Sequence, residues 1–198
     1  PWTGAEEDFT YLALEENQTP PEGEFDGFIK FPPQHIVLTS TTHIPHLDLL
    51  GQTSKLRAFP NLDLISSLKV WERIEQGEVQ DLGSAPSANI ELILDLNPDW
   101  VMISTLGEDL KSLQLLKNAG IPAPINGEYV EQHPLGRAEW IKFTGVLLGD
   151  YQKSLEVFEA IEKDYLESLE LVKEIETNKP TVLSGVLYQD IWYAPGAD

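Results

Sequence analysis

His43 and His46 stand three residues apart in Thr41-Thr42-His43-Ile44-Pro45-His46. On a helix that spacing puts two imidazoles on one face, close enough to share a metal ion. A metal centre needs a further ligand nearby, and His35 and His133 fall in other segments. The pair therefore reads as ordinary surface or pocket histidines, with no metal assigned. The hydroxyls of Thr41 and Thr42 suit either of two tasks, capping the helix that follows or hydrogen-bonding a ligand. Thirty-three Asp and Glu could supply acids and bases, but no nucleophile elbow, phosphate loop or His-Glu-x-x-His pattern accompanies them. No catalytic residue is assigned. The chain has no cysteine, which excludes thiol catalysis, disulfides, Cys-ligated zinc and iron–sulfur clusters.

Thirteen Lys and Arg against those 33 acids give a net charge of -20. Such a surface repels phosphate backbones and anionic head groups, so neither nucleic acid nor a membrane surface is an expected partner. The composition, 41% hydrophobic and 23% charged, is that of an ordinary globular protein. No apolar run reaches the ~18–20 residues that span a bilayer. The opening Pro1-Trp2-Thr3-Gly4 lacks the basic-then-apolar pattern of a leader. Any signal or anchor is expected to lie outside this chain or to have been removed.

These side chains need elements to position them. His35-Ile36-Val37-Leu38-Thr39-Ser40 is a β-branched run suited to a parallel strand buried on both faces. A helix is expected over 43–50, closed by Gly51, then a strand over 56–59 and a helix over 62–76 carrying Leu64, Ile65, Leu68 and Trp71 on one face. A polar loop at 81–87 leads to a helix bearing Ile90, Ile93 and Leu94, then a strand over 100–104. A helix over 111–119, a short strand over 123–126 and a helix over 137–148 follow. A second, much longer helix begins after Gly149, with an apolar stripe from Leu155 to Ile175. Strands alternating with helices specify an α/β fold with a parallel sheet flanked by helices, a Rossmann-like lobe.

The organisation expected is an N-terminal arm or hairpin over 1–32, an α/β lobe over 33–149, a long connecting helix over 150–178 and the first strands of a second lobe over 179–198. One or two strands cannot cover both faces of a new sheet, so the second lobe is expected to be truncated. Ligands of open parallel sheets sit beyond the carboxyl ends of the strands. Thr41, Thr42, His43, Phe59, Ser84, Ala85, Pro86, Thr105 and Leu106 are therefore the pocket candidates.

Several stretches, in order, resemble the helical-backbone (class III) periplasmic solute-binding proteins, which deliver ferric siderophores, haem or cobalamin to ABC importers. Residues 35–43 look like that family's first core strand and ligand-facing turn, and 83–101 like its glycine loop, helix and Pro-Asp strand. Leu116-Lys117-Asn118-Ala119-Gly120-Ile121-Pro122 is similar to its next helix end. Residues 134–143 and 179–185 resemble the subgroup found in Bacteroidota.

The resemblance implies a solute-binding component that holds a metal chelate between two lobes and hands it to importer membrane subunits. It implies no cofactor of the protein's own, since the ligand itself brings iron or cobalt. The location implied is the periplasm or cell envelope, free or lipid-anchored in a longer protein. Glu91 matches the family's acidic residue that meets the permease; a carboxylate in a first helical turn is equally favoured by the helix dipole. Trp192 and Tyr193 match a strand facing the cleft, where aromatics either contact ligand or pack in a core. Trp71, Trp100 and Trp140 are assigned to packing. Two other readings stay open: an acidic protein-interaction module outside transport, and a carboxylate-dependent enzyme.

Overall fold

A computed structural model of the chain describes residues 9–15, 17–83, 89–104, 110–173 and 181–194. The chain divides into two compact units, Pro1–Glu162 and Lys163–Asp198.

The first unit is built on a four-stranded parallel sheet in the order β5-β4-β3-β6, from β3 (Ile36–Leu38), β4 (Leu56–Phe59), β5 (Gln80–Asp81) and β6 (Trp100–Met102). Helices α1 (Ile44–Leu50), α2 (Leu68–Glu75) and α3 (Ile90–Leu96) make the crossovers, and α4 (Leu110–Asn118) and α5 (Pro134–Leu148) follow β6. Alternation along the strands divides the core in two. Ile36, Leu38, Trp100 and Met102 pack with Leu47, Ile141 and Leu148 on one face. Val37, Val101 and Ile103 pack with Ile93 and Leu116 on the other. A sheet covered on both faces has no room for polar alternation, which is why β3 and β6 are apolar throughout. Each fully buried Leu or Ile contributes about 1.5–3 kcal/mol.

Helix ends follow local chemistry. Gly51, at φ 69°, closes α1 in the left-handed conformation that costs glycine nothing. The helix expected over 62–76 is shorter: Leu62–Leu64 form a 3₁₀ turn, and α2 starts only at Leu68. The cause is Ser67, whose Oγ accepts the Val70 N–H at 3.2 Å and donates to Asp48 Oδ1 at 2.9 Å. The buried positions shift with it. Val70 and Arg73 face inward, whereas Leu64 and Leu68 are exposed.

The strand expected over 123–126 is reduced to a single parallel bridge between Ile103 and Ile125. Pro122 and Pro124 accept from the Val101 and Ile103 N–H groups, but neither can donate to extend a ladder.

The N-terminal segment is not a hairpin. β1 (Tyr11–Glu15) and β2 (Gly27–Phe31) pair in parallel, because the connection over 16–26, with Pro20-Pro21, is too long for a tight turn and returns the chain to the starting end. Nor is it detached. Ile29 is fully buried in the core, and Tyr11 Oη donates to the Ala123 carbonyl at 2.8 Å. Burial, aided by Asp26, pushes the Tyr11 phenol up to about 12.

Helix α6 (Tyr151–Lys173) crosses the boundary between the two units. Within the first, Ser154 and Phe158 are buried. Gly145 of α5 lies so near Ser154 that an added Cβ would collide with its side chain. The second unit ends in an antiparallel hairpin, β7 (Val186–Tyr188) with β8 (Ile191–Tyr193). Its two-residue turn, Gln189-Asp190, has φ of 49° and 62°, the geometry whose twist matches a two-residue hairpin.

Candidate functional site

The carboxyl ends of the four strands form one edge, and three side chains hold it together. Thr39, just past β3, donates from Oγ1 to the Met102 carbonyl at 3.1 Å and accepts the Ser104 N–H at 3.0 Å, fastening β3 to β6. Asp81, the last residue of β5, accepts two N–H groups on Oδ1, from Asn61 at 3.2 Å and from Gly83 at 2.8 Å. That carboxylate fastens β5 to the turn after β4. Asn126 is wholly buried beside β6; its N–H donates to the Ile103 carbonyl and its Oδ1 accepts the Glu128 N–H at 3.0 Å.

Thr41 and Thr42 are exposed on this edge, in a 3₁₀ turn over Thr41–His43. The cap of the turn is Ser40, whose Oγ accepts the Thr42 N–H at 3.3 Å and lies 2.7 Å from Thr42 Oγ1. Capping is thus done by Ser40, and the Thr41 hydroxyl is left facing outward among the described residues.

His43 and Phe59, expected on the rim, lie beneath it. His43 has no exposed surface, and neither ring nitrogen has a hydrogen-bond partner among the described residues. It sits on the same side of the chain as His46, Leu47 and Leu50, the buried face of α1, and so turns toward the sheet. Burial, with His46 close by, lowers the His43 pKa to about 3, and burial lowers that of His46 to about 4. The expectation of surface or pocket histidines is therefore corrected to two neutral core histidines. Phe59 is 1% exposed and packs with the cluster around Ile36 and Leu38, since its ring gains more from burial than from an open edge. Among the described residues, no three His, Asp or Glu come together to hold a metal ion.

Between the edge and the α3–α4 layer lies a crevice lined by Thr39, Ile90, Ile93, Val101, Ile103, Ser112 and Leu116, with room for about one water molecule. Ser84, Ala85, Pro86, Thr105 and Leu106 lie outside the described residues. Glu91 is exposed in the first turn of α3. In the second unit Trp192 is 50% exposed and Tyr193 48%. They stand opposite Leu187 and Val186 in the hairpin, and the Trp192 indole covers Gly185.

Sequence reading missed Asp81, Asn61, Asn126 and Glu128. Asn126-Gly127 after an apolar stretch is a turn signal, but nothing in it marks a buried Asn. Glu128 is 6% exposed, with Oε2 unpartnered among the described residues.

A family model described as periplasmic binding protein matches residues 36–198. An uncharacterized lipoprotein of Methanocaldococcus jannaschii is 33% identical over 127 residues, covering 63% of this chain and 32% of that protein. A periplasmic binding protein from Veillonella parvula superposes with a TM-score of 0.63 at 14% identity, covering 83% of this chain and 53% of that one. The triscatecholate siderophore binding protein FeuA from Bacillus subtilis, complexed with ferri-bacillibactin, gives 0.56 at 19% identity, covering 74% and 49%. At these identities the structural likeness is one of fold. The matched region spans about a third of that curated relative and about half of each solved structure.

Proposed function

The chain belongs to the periplasmic binding protein family, and from that premise we propose that it forms part of the solute-binding component of an ABC importer. The ligand proposed is a metal chelate, namely a ferric siderophore, haem or cobalamin, which itself carries the metal. The observation that carries this reading is the span of the family match: residues 36–198 include every loop that leaves the carboxyl edge of the sheet. The family is one of binding proteins, so the edge is read as a surface that holds a ligand and leaves its bonds intact.

In this reading Thr41 and Thr42 hydrogen-bond the ligand. Ser84, Ala85, Pro86, Thr105 and Leu106 are proposed as further ligand contacts, and Trp192 and Tyr193 of the second unit, taken by themselves, as aromatic ones. His43 and Phe59 support the turn from beneath. Glu91 contributes one carboxylate to docking on the membrane subunits. The lipoprotein relative supports an exported protein of the periplasm or cell envelope, held by a lipid anchor in its longer form. Among the described residues no helix is long and apolar enough to cross a membrane.

Calorimetric titration of the purified protein with ferric siderophores, haem and cobalamins tests the proposal. Saturable heat with one class and not the others is the expected result. Absence of heat with all three removes the chelate assignment.

A further inference from the structure

In the hairpin of the second unit, successive side chains alternate between two faces. The register pairs Leu187 with Trp192 and Val186 with Tyr193, so the two neighbouring aromatics point to opposite sides. A ligand lying on one side of the hairpin meets one of them and not the other. Tyr193 shares its side with Val186, Tyr188 and Ile191, which form two adjacent cross-strand pairs of large side chains with it. Trp192 shares its side with Leu187 and with Gly185, which precedes Leu187 by two residues. Gly185 is what lets the indole down onto the strand. A Cβ at 185 would lie 2.5 Å from Trp192 Nε1 and 2.6 Å from Cε2, closer than real Cβ contacts come. It would also lie 2.6 Å from the Tyr193 carbonyl oxygen. Any other residue there has to lift the indole away and press on the neighbouring backbone, which is the use of a glycine where chain and ring approach closely. Seated in this way, Trp192 still leaves half of its surface open.

We infer that Gly185 is a positioning residue for Trp192, and that the seated indole, rather than the Tyr193 ring, meets a flat conjugated face of the chelate; the inference rests on the chelate-capture reading above and narrows its two aromatic contacts to one. An indole already seated on the chain gives up little further freedom when a ring lands on it, so more of the contact appears as affinity. A stacked ring pair is worth about 2- to 10-fold in affinity beyond its buried area. That gain is open to a porphyrin plane or a catecholate ring, and closed to hydroxamate arms, which carry no ring. Tyr193 instead packs with Val186, Tyr188 and Ile191 on the far side of the hairpin, where large side chains paired across the strands stabilise the turn of chain that carries Trp192.

The test is calorimetric titration of the full chain with haem, with ferric enterobactin, a tricatecholate, and with ferrichrome, a trishydroxamate without an aromatic ring. Haem or ferric enterobactin is expected to bind more tightly than ferrichrome, and which of the two does so tells porphyrin from catecholate. With that probe, Trp192→Ala is expected to weaken binding by ~5-fold or more, and Trp192→Phe by less, since a ring remains. Gly185→Ala is expected to cost ~3-fold or more in the native chain and under ~1.5-fold when Trp192 is already Ala, because a positioning residue then has nothing left to position. Tyr193→Leu, which keeps its side of the hairpin apolar, is expected to stay within ~2-fold. A Gly185→Ala loss that persists undiminished in the Trp192→Ala background assigns the glycine to the backbone alone. That result, affinity unmoved by Trp192→Ala, a loss in Tyr193→Leu as large as in Trp192→Ala, or tightest binding of ferrichrome overturns the inference and leaves chelate capture standing. If none of these complexes binds, and cobalamin fails as well, chelate capture falls and the inference falls with it.

Discussion

His46 Nδ1 lies 2.8 Å from Thr144 Oγ1, a buried hydrogen bond that joins α1 to α5 across 98 residues of chain. It holds the helix that follows the 3₁₀ turn over Thr41–His43 against the helix that covers the same face of the sheet. Beside it, the wholly buried His43 has no such partner among the described residues.

This pair predicts a definite pH dependence. Both imidazoles have folded-state pKa values below 6.5, about 3 for His43 and about 4 for His46. The unfolded chain takes up protons as pH falls through 6.5, and the folded chain does not. The stabilisation from the neutral pair is therefore complete above about 6.5 and is lost as pH falls toward 4 and then 3. Urea unfolding should show a falling midpoint between about pH 7 and about pH 5, before most carboxylates titrate. His43→Leu should flatten that slope. Thr144→Val should cost about 1–3 kcal/mol at neutral pH by leaving the His46 nitrogen unpaired. A midpoint unchanged over this range would show that the imidazoles are solvated.

Arg73 is the second buried group with a specific duty. Its Nη1 donates to the carbonyls of Thr53 and Leu56, and its Nε donates to Glu78 Oε2 at 2.9 Å. One guanidinium thereby ties α2 to the turn that precedes β4 and to the start of that strand. Arg73→Met keeps the aliphatic stem and strands two backbone acceptors, so a loss of about 2–4 kcal/mol is expected in denaturant titration. Glu78→Gln removes only the partly exposed ion pair and should cost no more than about 1 kcal/mol. Equal losses in the two variants would refute the role given to the carbonyl contacts.

The sheet was legible in the sequence because a parallel strand buried on both faces leaves an uninterrupted apolar run, as at Ile36-Val37-Leu38 and Trp100-Val101-Met102. The break at Ser67 was harder to read. Leu64, Ile65, Leu68 and Trp71 keep helical spacing across it, and a single serine that caps α2 overrides that pattern. His43 was misplaced for a related reason: a residue at a strand-to-helix turn faces outward or inward by a rotation that spacing alone does not fix. Asp81 and Asn126 were missed because their bonds to the Gly83 and Glu128 N–H groups two residues on are ordinary turn contacts, while the contacts that set them apart, Asp81 with the Asn61 N–H and Asn126 with Met102 Sδ, reach distant segments that no local pattern records.

Thr39 offers a test of how the edge is held. Its single hydroxyl links the Met102 carbonyl to the Ser104 N–H, and its side chain also lines the small crevice beside α3. Thr39→Val preserves shape and removes both hydrogen bonds, so a loss of about 1–2 kcal/mol is expected. Thr39→Ser keeps the hydroxyl and should lose less. If this edge binds the ligand, Thr39→Val should weaken binding by ~3-fold or more through the displaced Ser104 segment, and Thr39→Ser should restore most of it. Unchanged affinity in the destabilised valine variant would separate the clamp from the binding surface.

Glu91 separates fold from partnership most cleanly. Its carboxylate is exposed in the first turn of α3, where interaction with the helix dipole is worth about 0.3–1 kcal/mol. Glu91→Gln should therefore shift thermal stability only slightly and leave chelate affinity unchanged. A permease surface that pairs with the carboxylate responds differently: Glu91→Gln should reduce uptake in cells, and Glu91→Lys should reduce it further by placing like charges together. A permease variant with the opposing basic residue changed to Glu should recover part of the loss in the Glu91→Lys strain and none in the Glu91→Gln strain. Such recovery requires direct apposition of the two residues and would not follow from a change in helix stability. Uptake undiminished by Glu91→Lys would leave the dipole as the whole account of this residue.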